Sequence, residues 1–129
     1  MQLTHAQKQE FYQNGYLKVH GVVPQVMVDD AVRAINASLG EGIDPTQVPI
    51  YRSRSFCPEL QRAAVITDLV NKTPALAFAE SLIGPGKIKP IGAGQIALRF
   101  PTLQDPPGPP RPHLDGMHSP NNGVPAGTI

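Results

Sequence analysis

Ten of the fifteen prolines in this 129-residue chain lie from Pro85 onward, and eight of the twelve glycines lie from Gly84 onward. Proline has no backbone donor and clashes with the preceding helical turn, so a stretch this rich in it forms neither a long helix nor an inner strand. The chain therefore changes character near residue 85. Helices are expected before that point, and extended or looping chain after it.

The first half carries explicit helix punctuation. Thr4 and Gln7 have the spacing of a capping box, in which each side chain satisfies an orphan backbone N–H at a helix start. A helix over 5–14 follows, with Gly15 as its stop. Leu17, Val19 and Val23 then interleave with Lys18 and His20, the pattern of a short strand. Behind Pro24, the residues Val28, Ala31, Val32, Ile35 and Leu39 fall at offsets of three and four, one apolar stripe that ends at Gly40. Asp29 and Arg33 stand four apart on its outer face. Residues 41–56, with Gly42, Pro45 and Pro49, read as a loop. A third helix is expected from Pro58 through Val70, and a fourth from the Thr73-Pro74 cap to the Gly84-Pro85 stop.

In the second half, residues 91–100 read as a strand interrupted early by Gly92 and Gly94. Gln95, Ala97 and Arg99 share one face, and Ile96, Leu98 and Phe100 the other. Residues 101–112 are an extended excursion built on Pro106-Pro107 and Pro109-Pro110. With few strands in view, one sheet face would lack a partner, and a cut within a larger domain is the expected explanation.

Charge and cysteine content exclude several classes. Eleven basic against ten acidic residues give a net charge of +1, too little field to draw in nucleic acid or an anionic membrane. No apolar run reaches the length of a membrane span. One cysteine, Cys57, permits no disulfide within the chain, and the opening residues lack the pattern of a signal peptide. A cytoplasmic protein is the expectation.

The chemistry-bearing candidates are few. His113-Leu114-Asp115 places an imidazole and a carboxylate two residues apart, on one face if that segment is extended. Such a pair can supply two ligands of the two-histidine, one-carboxylate facial triad of non-haem Fe(II) oxygenases, and it can equally be a loop histidine beside a solvated aspartate. Arg52 and Arg54 can clamp a phosphate or carboxylate of a substrate, or form a solvated loop. Cys57 has no histidine or lysine beside it in sequence to activate its thiol.

Taken in order, these segments resemble the N-terminal part of a phytanoyl-CoA dioxygenase family protein. The resemblance runs through Leu3-Thr4, Gln7, Phe11, Asn14-Gly15-Tyr16-Leu17 and Val22-Val23, then the amphipathic segment 28–39. It continues in 94–101 and ends on His113-Leu114-Asp115-Gly116. It implies an α+β fold, with a helical N-terminal layer packed on the opening strands of an incomplete jelly-roll (double-stranded β-helix). It also implies an Fe(II)- and 2-oxoglutarate-dependent hydroxylase of a small organic substrate. His113 and Asp115 match that family's first two iron ligands, and Gln95 and Arg99 would line the 2-oxoglutarate pocket or else form an exposed polar face.

The family's second ligating histidine and its cosubstrate-binding arginine lie downstream of His-x-Asp. After Asp115 this sequence offers His118, across a Gly116-Met117 turn, and no arginine. The isolated chain is accordingly expected to be an incomplete, inactive oxygenase that self-associates through exposed strand edges. Two other readings stand beside it: a metal-free interaction or dimerisation module, and an oxygenase completed by strand exchange between two copies.

Overall fold

A computed structural model of the chain describes residues 1–99. Within it, Met1–Leu98 form one compact unit. Its order is α1 (His5–Asn14), α2 (Gln25–Gly40), a 3₁₀ turn at Pro45–Gln47, α3 (Val48–Ser53), a 3₁₀ turn at Pro58–Leu60, α4 (Ala64–Asn71) and α5 (Pro74–Ile83).

The expected caps are the ones that form. Gln7 N–H donates to Thr4 Oγ1 at 3.2 Å, and Thr4 N–H donates to Gln7 Oε1 at 2.9 Å, which completes the capping box of α1. At the other end Gly15 takes φ 76°, a left-handed conformation that only glycine adopts without cost, and its N–H reaches Phe11 C=O at 2.8 Å. The hydroxyl of Thr73 accepts from Ala75 N–H and donates to Leu69 C=O at 2.8 Å, so one side chain ends α4 and starts α5. α2 packs on α4, and α4 on α5.

The stripe on α2 is buried unevenly. Ala31 is buried, Ile35 and Leu39 pack on the core, and Val32 is 48 % exposed. Arg33 pairs with Asp30, three residues away, and not with Asp29, which accepts from Gln25 Nε2 at 2.8 Å. Both contacts are exposed and contribute little to stability.

The core gathers Ala31, Phe56, Cys57, Ile66 and Ile96, with Leu39, Ile43, Tyr51, Leu60 and Leu69 among the residues packed around it. Phe56 is its centre at 1 % exposure. Three of these residues, Phe56, Cys57 and Ile96, come from outside the helices, and a long-range junction pins Phe56 to Ile96. Phe56 N–H donates to Ile96 C=O at 2.9 Å, and Ile96 N–H donates to Ser55 Oγ at 2.9 Å. Gly94 N–H reaches Gln61 C=O at 2.8 Å. Further along, the Asn71 side chain donates to Ile91 C=O and accepts from Ile91 N–H, both at 2.9 Å.

The α+β expectation does not hold for the described residues. They are helical with no strand and no sheet, so the opening jelly-roll strands and their exposed edges are not there. Residues 16–23 form no backbone ladder. Residues 91–99 form neither helix nor strand, and over 95–99 the side chains do alternate: Gln95, Ala97 and Arg99 are exposed while Ile96 and Leu98 face the core. What is missing is a parallel or antiparallel neighbour. The facing segment turns at Cys57, which has φ 46° and ψ 59°, and a chain that bends there offers Ile96 one backbone donor and no continuing ladder. That left-handed conformation costs a non-glycine residue about 1–2 kcal/mol. Residues 41–56, expected as a loop, contain α3; the helix expected from Pro58 begins as a 3₁₀ turn and becomes α-helical only after the extended Ala63.

A Cβ added at Gly94 would lie 2.7 Å from Cγ2 of the buried Ile66. Gly94→Ala should therefore destabilise the chain by about 1–3 kcal/mol in urea unfolding, as overpacking does. Gly92→Ala, with nothing within 4 Å of the new methyl, should stay within about 0.5 kcal/mol. Asn71→Ala removes both bonds to Ile91 and should cost about 1–3 kcal/mol; equal stability of this variant and the parent in the same titration would show the clamp to be dispensable.

Candidate functional site

The turn over residues 54–59 organises the functional surface. Its inner residues Ser55, Phe56 and Cys57 are buried, and the residues on either side, Arg54 and Glu59, are exposed. Because Ile96 pairs with Phe56, Gln95 and Arg54 each lie within two residues of the same junction. Both are exposed, as are Arg52 on the last turn of α3 and Arg99 at the end of the extended arm. Among the described residues, neither Arg52 nor Arg54 forms an ion pair.

The Arg52-bearing helix is delivered by a short relay. Asp44 caps the 3₁₀ turn by accepting from Thr46 Oγ1 at 2.8 Å and from Thr46 N–H at 2.9 Å. That turn runs directly into α3. The Thr46 hydroxyl first, and the Thr46 backbone N–H second, hold the Asp44 carboxyl below its ordinary value of 3.8.

The turn also forms part of a cleft of about 160 Å³. Its walls come from the C-terminal end of α2, the following loop, α3 and the 58–60 turn, with Leu39, Ile43, Tyr51 and Phe56 as its apolar part and Glu41 and Glu59 as its charged part. The Tyr51 and Phe56 rings sit 5.8 Å apart at a tilt of 45°. Ser38 Oγ donates to the Glu59 carboxylate, tying the end of α2 to the 58–60 turn.

The principal expected ligands, His113 and Asp115, lie outside the described residues. Among the described residues no three histidine, cysteine, aspartate or glutamate side chains converge on a point that a metal ion could occupy. Cys57 is a buried free thiol. Among the described residues no helix is long and apolar enough to cross a membrane.

No family model, curated protein or solved structure matches the chain.

The cleft escaped the sequence reading because its parts are scattered between Ser38 and Glu59. The one local hint is Gly40-Glu41-Gly42, an acidic residue held between two helix-stopping glycines.

The depressed Asp44 carboxyl has a signed consequence. A group with a lowered folded-state pKa contributes stability that is present above its unfolded value and is lost as pH falls through the folded value. Carboxyl-carbon NMR should give Asp44 a midpoint below 3.8. Asp44→Asn, which keeps the accepting oxygen but does not titrate, should flatten the loss of stability as pH falls below 3.8. The effect is small because the group is exposed, and an Asp44 midpoint at or above 3.8 would contradict it.

Proposed function

We propose that the chain carries part of the site of an Fe(II)- and 2-oxoglutarate-dependent hydroxylase acting on a small organic substrate in the cytoplasm. The observation that carries this reading is the His113-Leu114-Asp115 triplet, set after the segment 94–101 in the order resembling the phytanoyl-CoA dioxygenase family. His113 and Asp115 would be two of the iron ligands. Bound there, the metal and 2-oxoglutarate would supply dioxygen activation for hydroxylating a C–H bond.

The chain's own contributions are recognition and positioning. The exposed Gln95 and Arg99 offer a neutral amide and a permanent positive charge of the kind a dicarboxylate needs. Arg52 and Arg54 offer the same to an anionic group on the substrate. This reading rests on residues and their order and makes no use of a sheet.

The second reading, a metal-free interaction or dimerisation module, is favoured by one observation. α1 buries none of its residues, and Tyr12 and Tyr16 stand 78 % and 67 % exposed on it and just after it. Tyrosines with an apolar body and a polar tip are enriched where proteins meet.

One set of measurements separates the two. Under anaerobic conditions, Fe(II) or Mn(II) with 2-oxoglutarate should raise the melting temperature of the full chain by several degrees, since a ligand at about ten times its Kd adds roughly 1.4 kcal/mol. His113→Ala and Asp115→Ala should abolish that rise. With two protein ligands, and no arginine after Asp115, succinate release by the chain alone should stay at background. A melting temperature indifferent to metal and cosubstrate would reject the oxygenase reading. A dimer in sedimentation that Tyr12→Ser or Tyr16→Ser dissociates would support the module.

A further inference from the structure

The C-terminal end of α1 is held by little. The helix buries none of its residues, and Gln13, Asn14, Gly15 and Tyr16 are all exposed, whereas its other end follows the buried Leu3. The bond that closes the last turn over Asn14 runs from Gly15 N–H to Phe11 C=O at 2.8 Å, with Gly15 left-handed. One such bond is modest in net terms and suppresses opening of the turn only about tenfold. Of the three asparagines among the described residues, Asn14 alone precedes a glycine: Asn36 precedes Ala37, and Asn71 precedes Lys72.

From this placement we infer that Asn14-Gly15 is a site of spontaneous deamidation, gated by opening of the last turn of α1. While closed, the turn holds Asn14 helical and engages the Gly15 N–H, which keeps the Gly15 nitrogen off the Asn14 side chain. Once the turn opens, that nitrogen attacks Cγ of Asn14 and gives up its proton. A C–N bond forms, the side-chain nitrogen leaves as ammonia, and a succinimide ring remains. Water adds to either ring carbonyl and breaks its bond to nitrogen, giving aspartate or isoaspartate with no change of oxidation state. Glycine permits the attack because it has no Cβ to shield the nitrogen. The product acts back on the helix. Its carboxylate stands at the negative end of the α1 dipole, where no basic residue offsets it. Isoaspartate also adds a methylene to the backbone inside the turn that the Gly15–Phe11 bond closes. Conversion therefore uncaps the helix that carries Tyr12 and precedes Tyr16. The site is independent of the oxygenase reading, since it uses none of the proposed ligands.

The test incubates the full 129-residue chain in neutral buffer for weeks, with a synthetic peptide of residues 9–18 alongside. Samples are digested with trypsin, which releases that same segment, and read by mass spectrometry and isoaspartyl methyltransferase labelling. Segment 9–18 of the chain should convert from amide to acid at about one-tenth of the free peptide's rate. Asn36, inside α2, and Asn71, whose side chain is engaged by Ile91, should remain amides. Thr4→Ala, which removes the capping box, should speed conversion about fivefold, and Asn14→Gln should abolish it. In the converted chain the Gly15 amide should exchange with solvent about tenfold faster. The inference is overturned if Asn14 is still an amide when the free peptide has converted. It is equally overturned if the change maps wholly to Asn122-Gly123, outside the described residues. Conversion in the parent chain as fast as in the peptide would overturn the gate, and unchanged Gly15 exchange would overturn the uncapping. The parent chain and the free peptide decide the matter even where a variant fails to fold.

Discussion

The junction between Ser55-Phe56 and Ile96 holds the unit together. Two hydrogen bonds of 2.9 Å join segments 41 residues apart, and each is modest in net terms, about 1 kcal/mol. Their importance lies in what they bring along. They set Phe56 and Ile96 into the same core as Ala31 of α2 and Ile66 of α4. Without them the α2–α4 pair would show an uncovered apolar face, because the residues that cap it come from a turn and an extended arm rather than from a third helix. The Gly94–Gln61 bond and the Asn71 clamp on Ile91 extend the same seam along the arm. Gly94 is small for a reason that the seam imposes, since Ile66 occupies the space a side chain would need.

The same junction explains the strained Cys57. To bury Ser55, Phe56 and Cys57 together and still send Glu59 outward to Ser38, the chain must reverse within a few residues, and the left-handed conformation at Cys57 does that. Ser55 is buried without loss because its hydroxyl donates to Phe56 C=O and accepts from Ile96 N–H. Core packing, backbone strain and the wall of the cleft are thus one structural event seen from three sides.

Helix ends were the most legible part of the sequence because their signals are local. Thr4 with Gln7, Gly15, and Thr73 with Pro74 each act within four residues, and each does what its spacing demands. α3 was hidden because it is six residues long, contains Pro49 and carries no apolar stripe. Over residues 95–99 the alternation correctly told which side chains turn inward, but periodicity says nothing about whether a neighbouring backbone exists to pair with. The strand was inferred from a face when the face belonged to an unpaired arm. Of the candidate site, the exposure of Gln95, Arg99, Arg52 and Arg54 follows from their chemistry. The cleft does not, because it is made by the meeting of α2, α3 and a 3₁₀ turn, and no window of sequence contains all three.

Leu39, Ile43, Tyr51, Phe56 and Cys57 belong both to the core or its surround and to the lining of the cleft. The core itself is small, with Phe56 and Ile96 as large side chains and Ala31 where α2 meets it. In such a unit the floor of a surface cleft is also the inner wall of the hydrophobic interior. A change on this face and a change in the core are therefore coupled through the residues that the 55–57 turn inserts between them.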